Sequence, residues 1–132
     1  SSPAVPPLAH STLPAPPRWL RPALVACALL LFISAANHER LAALGEASVQ
    51  RHQVFVGINA ALALLLLARP RWALLPTIAL TLQQMNGHGR DLLASIKAPS
   101  LPFDWASLGV LLFFPVLIAL LVVELRSARS AG

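Results

Sequence analysis

The stretch TIALTLQQMNGHGRDLLAS, residues 77–95, carries six polar side chains at intervals of three or four positions. Such intervals place side chains on one face of a helix, because the α-helix repeats every 3.6 residues. The residues between them are largely apolar. The pattern predicts a single helix with a polar stripe made of Thr77, Thr81, Gln84, His88, Asp91 and Ser95.

The composition indicates which solvent surrounds this helix. Hydrophobic residues make up 57% of the 132 residues and charged residues only 11%, whereas about a quarter of an average soluble domain is charged. A chain this apolar is typical of membrane proteins, so the polar stripe is expected to face the inside of a helical bundle. The single cysteine, Cys27, excludes an intramolecular disulfide.

Four hydrophobic segments each approach the roughly 20 residues that cross a bilayer. They are expected at about residues 19–36, 52–68, 72–93 and 105–125. The predicted fold is therefore all-α: an integral membrane four-helix bundle within residues 19–132. A proline-rich tail, residues 1–18, precedes it and is expected to be extended, because it holds six of the twelve prolines and has no apolar run of its own.

The basic residues indicate the orientation of the bundle. They flank the hydrophobic segments instead of forming a patch interleaved with aromatic residues, so nucleic acid is not an expected partner despite the net charge of +5. If the N-terminus is cytoplasmic, six basic residues fall inside and four outside. The positive-inside rule then places both termini on the cytoplasmic side of a multi-pass protein, in a bacterial-type inner membrane. The six are Arg18, Arg21, Arg69, Arg71, Arg126 and Arg129.

The amides of the chain fall at one depth. Counted at about 1.5 Å per residue from the predicted turn at Pro70, Gln83, Gln84 and Asn59 all lie near the middle of a hydrocarbon layer about 30 Å thick. Amides at this depth either bond one another across a helix interface or line a cavity whose occupant satisfies them. The second alternative predicts a ligand pocket that opens to the non-cytoplasmic side, lined by Asn59, Gln83, Gln84, His88 and Asp91.

The predicted topology brings three histidines to the outer rim of the bundle. Neutral histidine ligates metals and also transfers protons near neutral pH. His38, His52 and His88 are therefore the candidate metal ligands, although no compact motif such as HExxH supports them. The candidates for acid–base catalysis are His88 and Asp91. The sequence does not identify a cofactor.

Two classes of function stay open. The first is a small membrane protein that acts as an accessory subunit, or that binds a cofactor or a lipophilic ligand such as a quinone in the polar pocket. Its partners would be the lipid bilayer and other membrane subunits. The alternative is a small membrane enzyme that performs redox or acid–base chemistry on a lipid-soluble substrate with a His/Asp cluster at the outer rim. The sequence does not decide whether the protein is an enzyme.

Overall fold

The computed structural model describes residues 1–2, 15–45 and 48–130, and within these ranges it contains four long α-helices and no strand. A short 3-10 helix, Pro70–Ala73, joins the second α-helix to the third. The predicted all-α, four-helix fold is confirmed. The predicted extended tail falls largely on residues 3–14, which lie outside the described residues. The helices are α1 (Leu20–Ala43), α2 (Val49–Ala68), α3 (Leu74–Lys97) and α4 (Trp105–Ser130).

Three of the helices continue past the C-terminal ends of the apolar segments that predict them. α1 continues past residue 36 to Ala43 and is followed by Gly45, whose φ of 67° is a left-handed conformation that glycine adopts at no steric cost. α3 passes through both of its glycines to Lys97, and α4 continues to Ser130. Helical hydrogen bonding therefore persists where the side chains become polar, and the whole polar stripe lies on one helix.

The helices pack as two hairpins. α1 lies along α2, α3 lies along α4, and the hairpins meet through α1 and α4. The contacts are apolar: the fully buried large side chains include leucines from α1, α2 and α4. Removing such side chains from the surrounding solvent and filling the space between helices stabilises the bundle through dispersion contacts. These leucines are Leu20, Leu24, Leu31, Leu66, Leu117 and Leu121.

The two ends of the bundle differ in chemistry. A guanidinium nitrogen of Arg21 donates to the carbonyl of Leu67 at 2.9 Å, so the start of α1 lies beside the end of α2. Glu124 in α4 shares a pocket with the turn that follows α2. We call this the arginine end, after Arg21, Arg69 and Arg71. The opposite end, which holds His38, His52 and His88, is the histidine end.

Three helices, α1, α2 and α4, have the length and apolarity needed to cross a membrane. α3 has 24 residues, as α1 does, but the polar stripe makes it less apolar. Thr77, Thr81 and Gln84 of the stripe are buried, as predicted for a stripe that faces the bundle interior. Large apolar side chains are exposed on all four of these helices. These features are those of a membrane protein, whose outer surface contacts lipid.

Candidate functional site

A direct contact between two histidines closes the first hairpin at the histidine end. His38 lies near the end of α1, His52 lies in the first turn of α2, and their Nδ1 atoms are 3.0 Å apart. One ring must donate and the other accept, because two lone pairs or two N–H groups repel each other. The ring of His38 also stacks on Phe55, with centroids 5.3 Å apart. Arg51 lies on the same aromatic ring, 5.8 Å from its centroid.

A chain of three side chains closes the second hairpin. The hydroxyl of Ser107 donates to Oδ2 of Asp104 at 2.6 Å. Its oxygen also lies 2.8 Å from Nδ1 of His88. Since the hydroxyl has one hydrogen, and that hydrogen is given to the carboxylate, His88 must donate Nδ1–H to Ser107. The result is a continuous donor chain from His88 through Ser107 to Asp104. In neutral His88 the Nε2 atom is then left as an acceptor.

Asp104 also caps the start of α4. Its Oδ1 accepts the backbone N–H of Ser107 at 2.9 Å, the bond that an N-cap residue makes with the first turn of its helix. Its own N–H is donated to Oγ of Ser95 at 3.2 Å, which ties the cap to α3. The hydrogen bonds from the Ser107 hydroxyl and the Ser107 N–H hold the pKa of Asp104 below its ordinary value, and the nearby His88 lowers it further. The carboxyl is therefore ionised over a wide pH range.

A cavity of about 560 Å³ lies between the hairpins, in the half of the bundle nearer the histidine end. Its walls come from the second half of α1, the first half of α4 and the middle of α2. Only two lining residues, Ser34 and Asn59, carry polar side chains. The other lining residues are Leu30, Leu31, Ile33, Ala106, Gly109, Val110, Phe113 and Phe114.

Other protein groups satisfy only part of the hydrogen-bonding capacity of the polar side chains in this cavity. Asn59 is buried, and its amide nitrogen donates one hydrogen to the carbonyl of Phe55 at 2.9 Å. Within the described ranges, no further hydrogen bond engages the amide of Asn59, and none engages the hydroxyl of Ser34. One N–H and the carbonyl oxygen of Asn59 therefore remain for a group inside the cavity, together with the Ser34 hydroxyl.

The structure separates the residues predicted to line a single pocket. Asn59 lies in the cavity, whereas Gln84 is buried in the bundle, Gln83 is exposed, and neither glutamine lines the cavity. His88 is directed to Ser107. Asp91 is exposed and lines a separate surface pocket at the loop between α3 and α4. The alternative of a hydrogen bond between Asn59 and a glutamine is not realised in the described part of the chain, because Asn59 bonds to its own helix.

Other residues of the stripe bond within α3. The hydroxyl of Thr81 donates to the carbonyl of Thr77 at 2.7 Å, as expected for a threonine in a membrane helix. The hydroxyl of Thr77 itself is fully buried and has no hydrogen-bond partner within the described structure. Thr77 therefore differs from Thr81, whose hydroxyl bonds a backbone carbonyl.

The three candidate metal ligands divide into two contacts. His38 and His52 bond each other, and His88 bonds Ser107. Among the described residues, no group of three or more histidine, cysteine, aspartate or glutamate side chains is arranged to hold a metal ion.

Sequence reasoning did not single out Ser107 or the α4 wall of the cavity as parts of a site. A signal for the wall was available, because the spacings of three and four positions among Ala106, Gly109, Val110 and Phe113 place them on one helix face. Ser107 follows Asp104 by three positions, the spacing of a capped helix start. Comparison with known protein families, curated proteins and solved structures gives no match.

Proposed function

We propose that this chain is a membrane protein that binds a lipid-soluble molecule with a carbonyl or hydroxyl head group. The observation that carries the proposal is the cavity between the hairpins, with its apolar walls and its two polar side chains. Its volume of about 560 Å³ is within the range of small-molecule sites, which are mostly apolar with a few polar groups that orient the ligand.

The chemistry of the walls limits the class of ligand. The lining residues include no charged side chain, so a charged head group would lose its hydration without compensation. The free N–H of Asn59 suits a carbonyl oxygen, and the oxygens of Asn59 and Ser34 suit a hydroxyl. A quinone or quinol ring with an isoprenoid chain has this combination of a neutral polar head and an apolar tail.

The position of the cavity supports entry from the bilayer. Two of its wall residues, Leu30 and Ile33, are 52% and 64% exposed although they lie in a membrane-spanning helix. Gly109 on the opposite wall is exposed as well. The cavity therefore opens sideways between α1 and α4, where a lipid-soluble molecule is most concentrated.

The test uses a short-chain benzoquinone, which quenches an indole that it lies close to. Trp105 adjoins Ala106 of the cavity wall, whereas Trp19 and Trp72 are at the arginine end. With Trp19→Phe and Trp72→Phe in place, quinone titration of the detergent-solubilised chain should quench Trp105 with saturation. Gly109→Leu should abolish the saturable part, because a Cβ at this position meets no atom within 4 Å and the added side chain fills the cavity.

Gly57→Leu is the matched control. Gly57 is also exposed within a helix, a Cβ there also meets no atom within 4 Å, and it does not line the cavity. Gly57→Leu should leave the quenching curve unchanged. Asn59→Leu, which keeps a similar volume and removes the amide, should weaken binding without closing the cavity. Equal quenching in the Gly109→Leu and Gly57→Leu chains would contradict the proposal.

A second candidate, an enzyme that transfers protons to its bound ligand, is supported by the donor chain from His88 to Asp104. Ser107 follows Ala106 of the cavity wall directly in the sequence. If a side chain of this donor chain gains or loses a proton when the ligand binds, the quinone affinity should depend on pH, and Ser107→Ala should remove that dependence while keeping the affinity at neutral pH. A pH-independent affinity in the unmodified chain would favour binding alone.

The accessory-subunit hypothesis depends on the proline-rich tail and stays a prediction. Residues 3–14 of that tail lie outside the described residues. The test is to purify two chains in mild detergent, the full chain and a chain without residues 1–17. The hypothesis predicts that stoichiometric partners co-purify with the full chain and are lost from the truncated one. A stable, partner-free full chain that still binds the quinone would count against this hypothesis.

A further inference from the structure

A second, smaller pocket of about 320 Å³ lies at the arginine end. One wall is the tight turn from Ala68 to Trp72, which contributes Arg69 and Arg71, and Glu124 of α4 forms the other. The pocket is separate from the cavity between the hairpins, and no step of the proposed function uses it.

The pocket presents both signs of charge without internal neutralisation. The guanidinium carbon of Arg69 lies 5.4 Å from the centroid of the Trp72 ring, so this cation is positioned by an aromatic face. Among the described residues, no ion pair within 4.0 Å joins either arginine to Glu124. Two cations and one carboxylate therefore line the same space and remain separated.

The location is that of lipid head groups. Trp72 and Leu75 are 66% and 76% exposed beside the turn, where α2 ends and α3 begins. Tryptophan is enriched at the level of the head groups, and basic pockets between helices at the membrane surface bind phospholipid head groups. A phosphate that reaches this pocket from the bilayer would meet both arginines.

We infer that this pocket binds the head group of a phospholipid that carries a phosphate and a primary ammonium, as in phosphatidylethanolamine. The phosphate accepts hydrogen bonds from Arg69 and Arg71, since guanidinium groups match phosphate oxygens in pairs. The ammonium donates to the carboxylate of Glu124. A head group with both charges gives each of the three side chains a partner of opposite charge, whereas an anionic head group leaves Glu124 without a cation.

The experiment titrates the full chain in mild detergent with dioctanoyl phospholipids and counts bound lipid by native mass spectrometry. Phosphatidylethanolamine should bind more tightly than phosphatidylglycerol, which lacks the ammonium, and than phosphatidylcholine, whose quaternary ammonium has no N–H. Soluble phosphoethanolamine is the fourth ligand and should bind more weakly than the lipid, because it lacks the acyl chains that place the head group at the turn.

Two kinds of variant assign the contacts. Arg71→Gln should lower the affinity for every phospholipid by about tenfold, which is the effect of losing a charge-assisted hydrogen bond. Glu124→Gln should remove the preference for phosphatidylethanolamine over phosphatidylglycerol and leave phosphatidylglycerol binding intact. Arg90→Gln is the control, because Arg90 lies at the histidine end and donates to its own helix.

Three outcomes would overturn the inference. The first is equal lipid binding by the Arg71→Gln and Arg90→Gln chains. The second is a preference for phosphatidylethanolamine that survives Glu124→Gln. The third is soluble phosphoethanolamine binding as tightly as the lipid, which would make the pocket a site for a water-soluble phosphoester. None of these outcomes affects quinone binding, so they are distinguishable from failure of the proposed function.

Discussion

The two hairpins of this bundle are each closed by a histidine at the same end, yet the two histidines have different partners. His38 in the first hairpin bonds another histidine, His52. His88 in the second hairpin bonds Ser107, whose hydroxyl is donated to Asp104. The same residue type therefore makes a contact between two bases in one hairpin and begins a chain that ends on a carboxylate in the other.

The difference decides how each contact responds to a proton. A contact between two imidazoles needs one lone pair, so it is lost when both rings are protonated, and Arg51 nearby adds to the positive charge. Protonated His88 still donates Nδ1–H to Ser107, and the carboxylate of Asp104 compensates its charge. We expect acid to loosen the first hairpin and leave the second intact until Asp104 itself is protonated.

The largest expected effect comes from Asp104→Ala, which removes the anion that distinguishes the second hairpin. The variant loses the N-cap of α4 and leaves the buried hydroxyl of Ser107 without its acceptor. We expect the free energy of unfolding, measured in mixed micelles, to fall by about 1 to 3 kcal/mol. Asp91→Ala removes an exposed carboxylate from the same end and should cost less than about 0.5 kcal/mol. Similar losses in the two variants would contradict the role of Asp104.

Ser107→Ala interrupts the chain and keeps the cap, since Asp104 still accepts the backbone N–H. Ser107 is 2% exposed, so His88 and Asp104 would be left without a common partner in a partly buried site. The expected loss is about 1 to 2 kcal/mol. Ser127→Ala is the control on the same helix, because its hydroxyl only donates to the carbonyl of Val123. If Ser127→Ala lowers the free energy of unfolding by as much as Ser107→Ala does, the chain of three side chains makes no specific contribution to stability.

A pH titration compares the hairpins directly. The contact between His38 and His52 is lost when both rings are protonated, so hydrogen exchange at the start of α2 should rise in acid. The pKa of Asp104 is lowered in the folded chain. Its stabilisation is therefore fully present above the unfolded value of about 3.9 and is lost only as the pH falls through the lower folded value. Exchange at the start of α4 should stay low until that point.

His52→Gln supplies the control for the titration, because glutamine has no proton to gain. The acid-induced rise in exchange at the start of α2 should disappear in this variant. A rise that persists, or a simultaneous rise at the start of α4 in the unmodified chain, would show that the hairpins do not differ in the way described.

The smallest effect is expected in α3 and has the opposite sign. The hydroxyl of Thr77 is fully buried without a partner in the described structure. Thr77→Val replaces this hydroxyl with a methyl group and so removes an unsatisfied polar group from the second hairpin. We expect no loss of stability and a gain of up to about 1 kcal/mol. Thr81→Val removes a hydroxyl that does bond a carbonyl and should not stabilise the bundle. A clear loss in Thr77→Val would indicate an unrecognised partner for that hydroxyl.

Much of the fold is predictable because it depends on local patterns. The intervals between Thr77, Thr81 and Gln84 predict an inward-facing stripe, and all three are buried. Length and apolarity identify the membrane-spanning helices α1, α2 and α4. The helix ends are less predictable, because α1 continues through polar residues until Gly45 allows the backbone to turn.

The candidate site is predictable only in part. Depth counting selects Asn59, which does line the cavity, and also Gln84, which does not. The depth of a residue in the membrane can be counted along its own helix. Whether residues of two helices line the same cavity depends instead on how those helices are rotated about their axes. Asn59 faces the cavity while Gln84 is buried elsewhere. A ligand in the cavity therefore contacts Asn59 and not Gln84, although the sequence predicts both amides at the same depth in the membrane.

The amino-acid sequence by itself determined that this chain is helical, apolar enough for a membrane, and polar along one face of α3. Those properties follow from side-chain periodicity and composition, which need no knowledge of neighbours. Only the tertiary structure decided that His88 meets Ser107 and Asp104, that His38 meets His52, and that Ser34 and Asn59 face one cavity. Such contacts join different helices, and packing of buried apolar side chains sets which helix faces meet.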